Sequence, residues 1–87
     1  ILSKGTVNSS VVSPRELFLA ALQFHAVCLI LVHNHPSGDA TPSREDVLLT
    51  KRIQAAGELL GITLLDHIVI GDHQYVSLRQ QGVLAER

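Results

Sequence analysis

Seven consecutive apolar residues, Ala26 to Val32, run directly into His33-Asn34-His35-Pro36. A short, continuous apolar run of this kind reads as a central β-strand covered on both faces. The rest of the chain must supply that cover. Ile1 to Val12, rich in Thr, Ser and Val, reads as a strand with a bend or bulge near Gly5. Ser13-Pro14-Arg15-Glu16 is a helix start, with Ser13 as cap, Pro14 in the first turn and Glu16 as capping partner. That helix runs to about Phe24. Leu17, Ala20, Ala21 and Phe24 form one stripe, and Phe18 and Leu22 widen it, so cover on more than one side is expected.

His33 to Pro42 holds two Pro, one Gly, Asn, Ser and Asp and reads as a loop. A second helix is expected from about Ser43 to Leu60, its core stripe Leu49, Ile53, Ala56 and Leu60, stopped by Gly61. Ile62 to Ile70 reads as another strand. Gly71-Asp72-His73 turns it into a short final strand, Gln74 to Leu78, as an antiparallel hairpin. The order strand, helix, strand, helix, strand, turn, strand predicts an α/β fold, a mixed sheet with helices packed on it. The 87 residues suffice for one domain, 1–87.

Composition narrows the function. Hydrophobic residues make up 46% and the net charge is -1, which excludes a disordered chain. With 7 basic against 8 acidic residues, bulk charge does not support nucleic-acid binding. Aromatics at 3% supply no base-stacking platform. The single cysteine, Cys28, excludes an internal disulfide scaffold and reads as a small core residue. No apolar run reaches the roughly 18–20 residues that span a bilayer, and no signal peptide is visible. The expected localisation is cytoplasmic, with no membrane partner. So small a domain without disulfides leans on aliphatic packing, a metal or a partner surface, and its 5 histidines make metal the first option to test.

In extended backbone, residues two apart point to one face, so His33 and His35 can aim both imidazoles at one point. Asp46, near the start of the second helix, is seven residues before Ile53 and therefore shares its core-facing side. A carboxylate there has no water and needs a partner. A cation held by His33 and His35 is such a partner. Two imidazoles and a carboxylate form a catalytic zinc set with the fourth position open to water. Ser43, three residues before Asp46, is placed with the helix-start N–H groups to stabilise an oxyanion. Each part has a plainer reading: a lone His-x-His is weak evidence of metal, Asp46 alone suits the helix dipole, and Ser43 alone is an N-cap. Their shared phase is what makes the set. The string His33-Asn34-His35 carries no nuclease reading, because that motif's residues lie far apart in sequence.

His33-x-His35, seven residues, then Ser43-x-x-Asp46 resembles the metal motif of the JAMM (MPN+) metalloproteases. Gly5-Thr6-Val7-Asn8, Pro14-Arg15-Glu16, His33-Asn34-His35-Pro36-Ser37-Gly38, Pro42-Ser43, Gly61-Ile62, Leu65-Asp66-His67-Ile68, and Gly71 with Tyr75-Val76-Ser77 are similar to the RadC-type branch, whose members carry a DNA-repair label. The resemblance implies a JAMM-like (cytidine-deaminase-like) domain with Zn2+ on His33, His35 and Asp46. It further implies Ser43 in transition-state stabilisation and hydrolysis of a peptide or isopeptide bond in a protein substrate. The family's catalytic Glu precedes the segment matching Gly5, and Ile1 to Lys4 hold no Glu. The expectation is therefore an N-terminally truncated domain that keeps its ligands and lacks its general base.

Two other functions stay open: a DNA-binding or phosphodiester-processing repair domain, and a catalytically silent interaction module. A homodimer is compatible with the strand at the N-terminus and the broad apolar helix. Around the centre, Asn34 and Ser37 either orient ligands or substrate or stabilise the loop. His67 reads as a buried histidine bonded to a neighbour, with an orienting role beside the metal as the alternative. Asp39 reads as a turn residue, and His25 and His73 as solvated.

Overall fold

The computed structural model describes residues 4–8 and 13–84. Its elements are β1 (Lys4–Asn8), α1 (Pro14–Gln23), β2 (Cys28–Asn34), α2 (Arg44–Leu60), β3 (Thr63–Gly71) and β4 (Gln74–Ser77). The strands form one sheet in the order β1-β2-β3-β4. β1 and β3 both run parallel to β2, and β4 runs antiparallel to β3. Parallel neighbours need crossovers, and α1 and α2 supply them. The expected mixed α/β sheet is therefore what forms, with the apolar run in a central strand.

Alternation along β2 decides which side is the core. Leu29 and Leu31 are buried, and the same side of the sheet carries Leu64 and Val69 of β3. Leu17, Phe18 and Ala21 of α1 and Ile53 of α2 join Leu29, Leu31 and Leu64 in one cluster closed by Ala26, Ile62 and Leu84. Cys28 is buried, as a core residue should be.

Three details differ from expectation. β1 pairs residue for residue with β2, so Gly5 makes no bulge, and the remainder of the stretch 1–12 lies outside the described residues. The shift of register falls between β2 and β3 instead: Leu29 pairs with Leu64, but Ile30 pairs with Asp66. α1 buries Leu17, Phe18 and Ala21, while Leu22 and Phe24 are exposed, because the helix stops at Gln23 before Phe24 can turn inward. Leu60 is exposed too. The chain reverses at Gly61 (φ 74), and Ile62 rather than Leu60 closes the core. Gly57 makes that reversal possible, since a Cβ there would lie 2.2 Å from the Ile62 carbonyl oxygen.

Candidate metal centre

The site lies where the C-terminal end of β2 meets the first turn of α2. His33 is the next-to-last residue of the β2 pairing, opposite Val69. His35 lies one residue beyond β2, but its N–H donates to the Ile70 carbonyl at 2.8 Å, so the extended line continues and both rings project to one side. They meet edge to face, 4.7 Å between centroids.

Asp46 reaches them from α2. Ser43 caps this helix: its Oγ accepts from the Asp46 N–H at 3.0 Å, and the Ser43 N–H donates to Asp46 Oδ2 at 2.8 Å. This reciprocal box fixes the carboxylate at the helix entrance. Asp46 is only 3% exposed, yet both oxygens are used. Oδ1 lies 2.7 Å from His33 Nδ1 and Oδ2 lies 2.9 Å from His35 Nε2. Burial pushes the carboxyl up, but the bonds from Ser43 and the His33 imidazole outweigh it and hold Asp46 below its ordinary 3.8. The side chain is an anion at neutral pH.

The direction of one bond matters most. His35 Nδ1 lies 2.8 Å from the Asp39 carbonyl, which can only accept, so Nδ1 carries a hydrogen. In a neutral ring Nε2 then bears a lone pair, and it faces a carboxylate oxygen that bears another. Two acceptors at this distance attract only with a cation between them, whether a proton or a metal ion. Zinc bonds of about 2.0–2.2 Å in tetrahedral geometry separate ligand atoms by roughly 3.3 Å. Opening these two contacts by about half an ångström makes room for an ion between each imidazole and Asp46, while the three side chains whose ligand atoms converge are His33, Asp46 and His67.

The loop from Pro36 to Pro42 holds His35 in this pose. Asp39 Oδ1 accepts from the Thr41 N–H at 2.9 Å and the Thr41 hydroxyl at 2.7 Å, the turn role expected of it. Those two bonds keep its carboxyl below the ordinary value. Ser37 Oγ accepts from the Asp39 N–H at 3.4 Å, which makes Ser37 a loop stabiliser. Asn34 is exposed at the end of β2. His25 and His73 are exposed, as expected, each with a left-handed backbone (φ 54 and 53).

His67 has no solvent exposure, and Thr50, which sequence reasoning overlooked, has none either. They bond at 2.6 Å behind the cluster. One ligand atom each from His33, Asp46 and His67 lie within 4.8 Å of one another. Burial, together with His33 and His35, holds His67 below its ordinary 6.5 against the raising pull of Asp46 and Asp66. Thr50 had one visible signal: it lies one turn after Asp46, a polar residue on the stripe that leads to Ile53 and Gly57.

The mixed α/β sheet thus carries two imidazoles at the end of β2 and a carboxylate in the first turn of the next helix. The chain belongs to the RadC-like JAB domain family, whose model matches residues 1–83. It is 60% identical over 83 residues to a UPF0758 protein of Desulforamulus reducens, covering 95% of this chain and 37% of that protein. It is 56% identical over 82 residues to one from Staphylococcus carnosus, covering 94% and 36%. With the relative from Methanosarcina mazei the identity is 52% over 82 residues, covering 94% and 36%. The chain thus spans little more than a third of the length of these relatives. Among the described residues no helix is long and apolar enough to cross a membrane.

Proposed function

We propose that the domain is a zinc-dependent hydrolase of the metallopeptidase class, with His33, His35 and Asp46 as ligands and a peptide or isopeptide bond as substrate. One observation carries this reading: His35 Nε2, whose partner nitrogen is already committed to the Asp39 carbonyl, faces Asp46 Oδ2 at 2.9 Å. Zinc, when bound, supplies Lewis acidity that lowers the pKa of water and polarises a carbonyl. The protein's own groups do the rest. Asp46, fixed by the capping box, neutralises charge from the buried side. The Asp39 carbonyl keeps the His35 lone pair directed inward. Ser43 is exposed at the helix entrance, and in this reading its hydroxyl donates to the oxygen that gains charge as the carbonyl is attacked.

The test uses the full-length protein. Metal content is measured after zinc loading and desalting, for wild type and His33→Ala, with hydrolysis of peptide and isopeptide-linked substrates assayed alongside. The expected result is about one zinc per chain, lost in the variant together with hydrolysis. Equal zinc in both proteins would remove the ligand assignment. Zinc uptake without cleavage of either substrate would remove the peptidase reading.

A further inference from the structure

Thr50 stands four residues after Asp46 in α2, and its Oγ1 lies 2.7 Å from the Asp46 carbonyl oxygen. A carbonyl only accepts, so the Thr50 hydroxyl donates its single hydrogen there. Toward His67 Nδ1, 2.6 Å away, the same oxygen must accept, so His67 holds its hydrogen on Nδ1. The result is a directed chain from β3 into the helix: His67 Nδ1–H to Thr50 Oγ1, then Thr50 O–H to the Asp46 carbonyl. We propose that His67 is a positioning residue of the metal centre, acting through Thr50 to lock the first turn of α2 so that the Asp46 carboxylate stays aligned with His33. This rests on the metal reading above.

The backbone is arranged to bring His67 there. Leu64 and His67 are three apart, so in an unbroken strand they would face opposite sides. Both are buried on the helix side, because β3 takes one extra residue between the partners of Leu29 and Ile30. Such shifts recur beside functional sites, where they re-aim a side chain. Asp66 pins this one: it accepts from the His67 N–H at 2.7 Å, the Arg79 N–H at 3.0 Å and the Ser77 hydroxyl at 2.5 Å. The re-aimed imidazole lies nearly parallel to that of His33, 23° between planes and 6.2 Å between centroids. A buried polar bond between sheet and helix is a costly way to fill a core. An apolar side chain would fill the space but leave the turn carrying Asp46 tied to the sheet by packing alone.

The two nitrogens of His67 can be tested separately in the full-length protein. His67→Asn puts an amide N–H near the Nδ1 position, His67→Gln puts one near Nε2, and Thr50→Val removes the relay at nearly constant volume. Zinc affinity is read by competition with a chromophoric chelator, ligand number by the visible spectrum of the Co2+-loaded protein, and folding by circular dichroism. The expected result is zinc binding by His67→Asn within about threefold of wild type, and by His67→Gln and Thr50→Val weaker by about 10–100-fold. The Co2+ band shape should stay unchanged in all three. Wild-type affinity in folded Thr50→Val and His67→Gln would overturn the inference. A changed Co2+ spectrum in His67→Asn would also overturn it, since His67 would then be a ligand. Absence of zinc uptake by wild type would instead overturn the metal reading, and this inference with it.

Discussion

Both carboxylate oxygens of Asp46 face an imidazole, while its main chain opens α2. That double duty separates two effects of substitution. Ser43→Gly removes the hydroxyl and leaves no side-chain donor, while weakening the cap by only a few tenths of a kcal/mol. Hydrolysis by the full-length protein should fall by about 10²–10³ in kcat, the usual loss for one oxyanion donor. Equal kcat for both proteins would leave Ser43 a cap and nothing more. His67 sets a pH dependence. Its folded pKa lies below the ordinary 6.5, so the unfolded chain binds the extra proton first as pH falls. Its contribution is complete above about pH 6.5 and declines as pH drops toward the folded value. Urea titrations of the metal-free protein at a series of pH values should show stability falling on acidification, with a shallower slope in His67→Asn. Asp46, also depressed, contributes in a separate window: its share is held above about pH 3.8 and lost below it.

Elements meet at this site through a few close backbone approaches. A Cβ on Gly71 would lie 2.3 Å from the Gly38 carbonyl oxygen and 2.7 Å from the Ala40 nitrogen. The same Gly38 carbonyl accepts from the Asp72 N–H at 2.7 Å and the Gln74 side chain at 3.0 Å. The β3–β4 hairpin thus holds the loop that orients His35. Gly71→Ala should push the loop away, weaken zinc binding and move the His35 ring resonances in NMR spectra; unchanged resonances would count against that linkage. Local rules made much of this legible from sequence. The period of two set His33 beside His35, the period of 3.6 set Asp46 over Ile53, and Ser43-x-x-Asp46 marked the helix entrance. What stayed hidden depends on contacts between distant segments. The register shift opposite Leu29 and Ile30 has no local signature in Leu65-Asp66, yet it decides that His67 faces the helix. Leu60 obeys the helical period and is exposed all the same, because where the sheet ends is set by the strands and not by the helix.

At the scale of the whole molecule, the core is thin: aliphatic side chains and Phe18 packed on the helix side of the sheet. Leu31, fully buried in the core cluster, should cost about 2–5 kcal/mol when cut to Ala. For a domain of this length the total is itself on the order of 5–10 kcal/mol, so equilibrium denaturation should show that variant near its limit. The other side of the sheet is less covered: Ile70 and Tyr75 are exposed around an open apolar depression that Ile68 also lines. A bound ion adds stability by mass action. Zinc at a hundred times its dissociation constant is worth about 2.7 kcal/mol, a rise in Tm on the order of 10 °C that chelator should reverse. The most direct measurement is anomalous scattering at the zinc edge from crystals of the full-length protein grown with zinc. A single peak is expected about 2.0–2.2 Å from an imidazole nitrogen of His33, one of His35 and a carboxylate oxygen of Asp46. Zinc found in the crystal with no peak at those three side chains would contradict the ligand assignment.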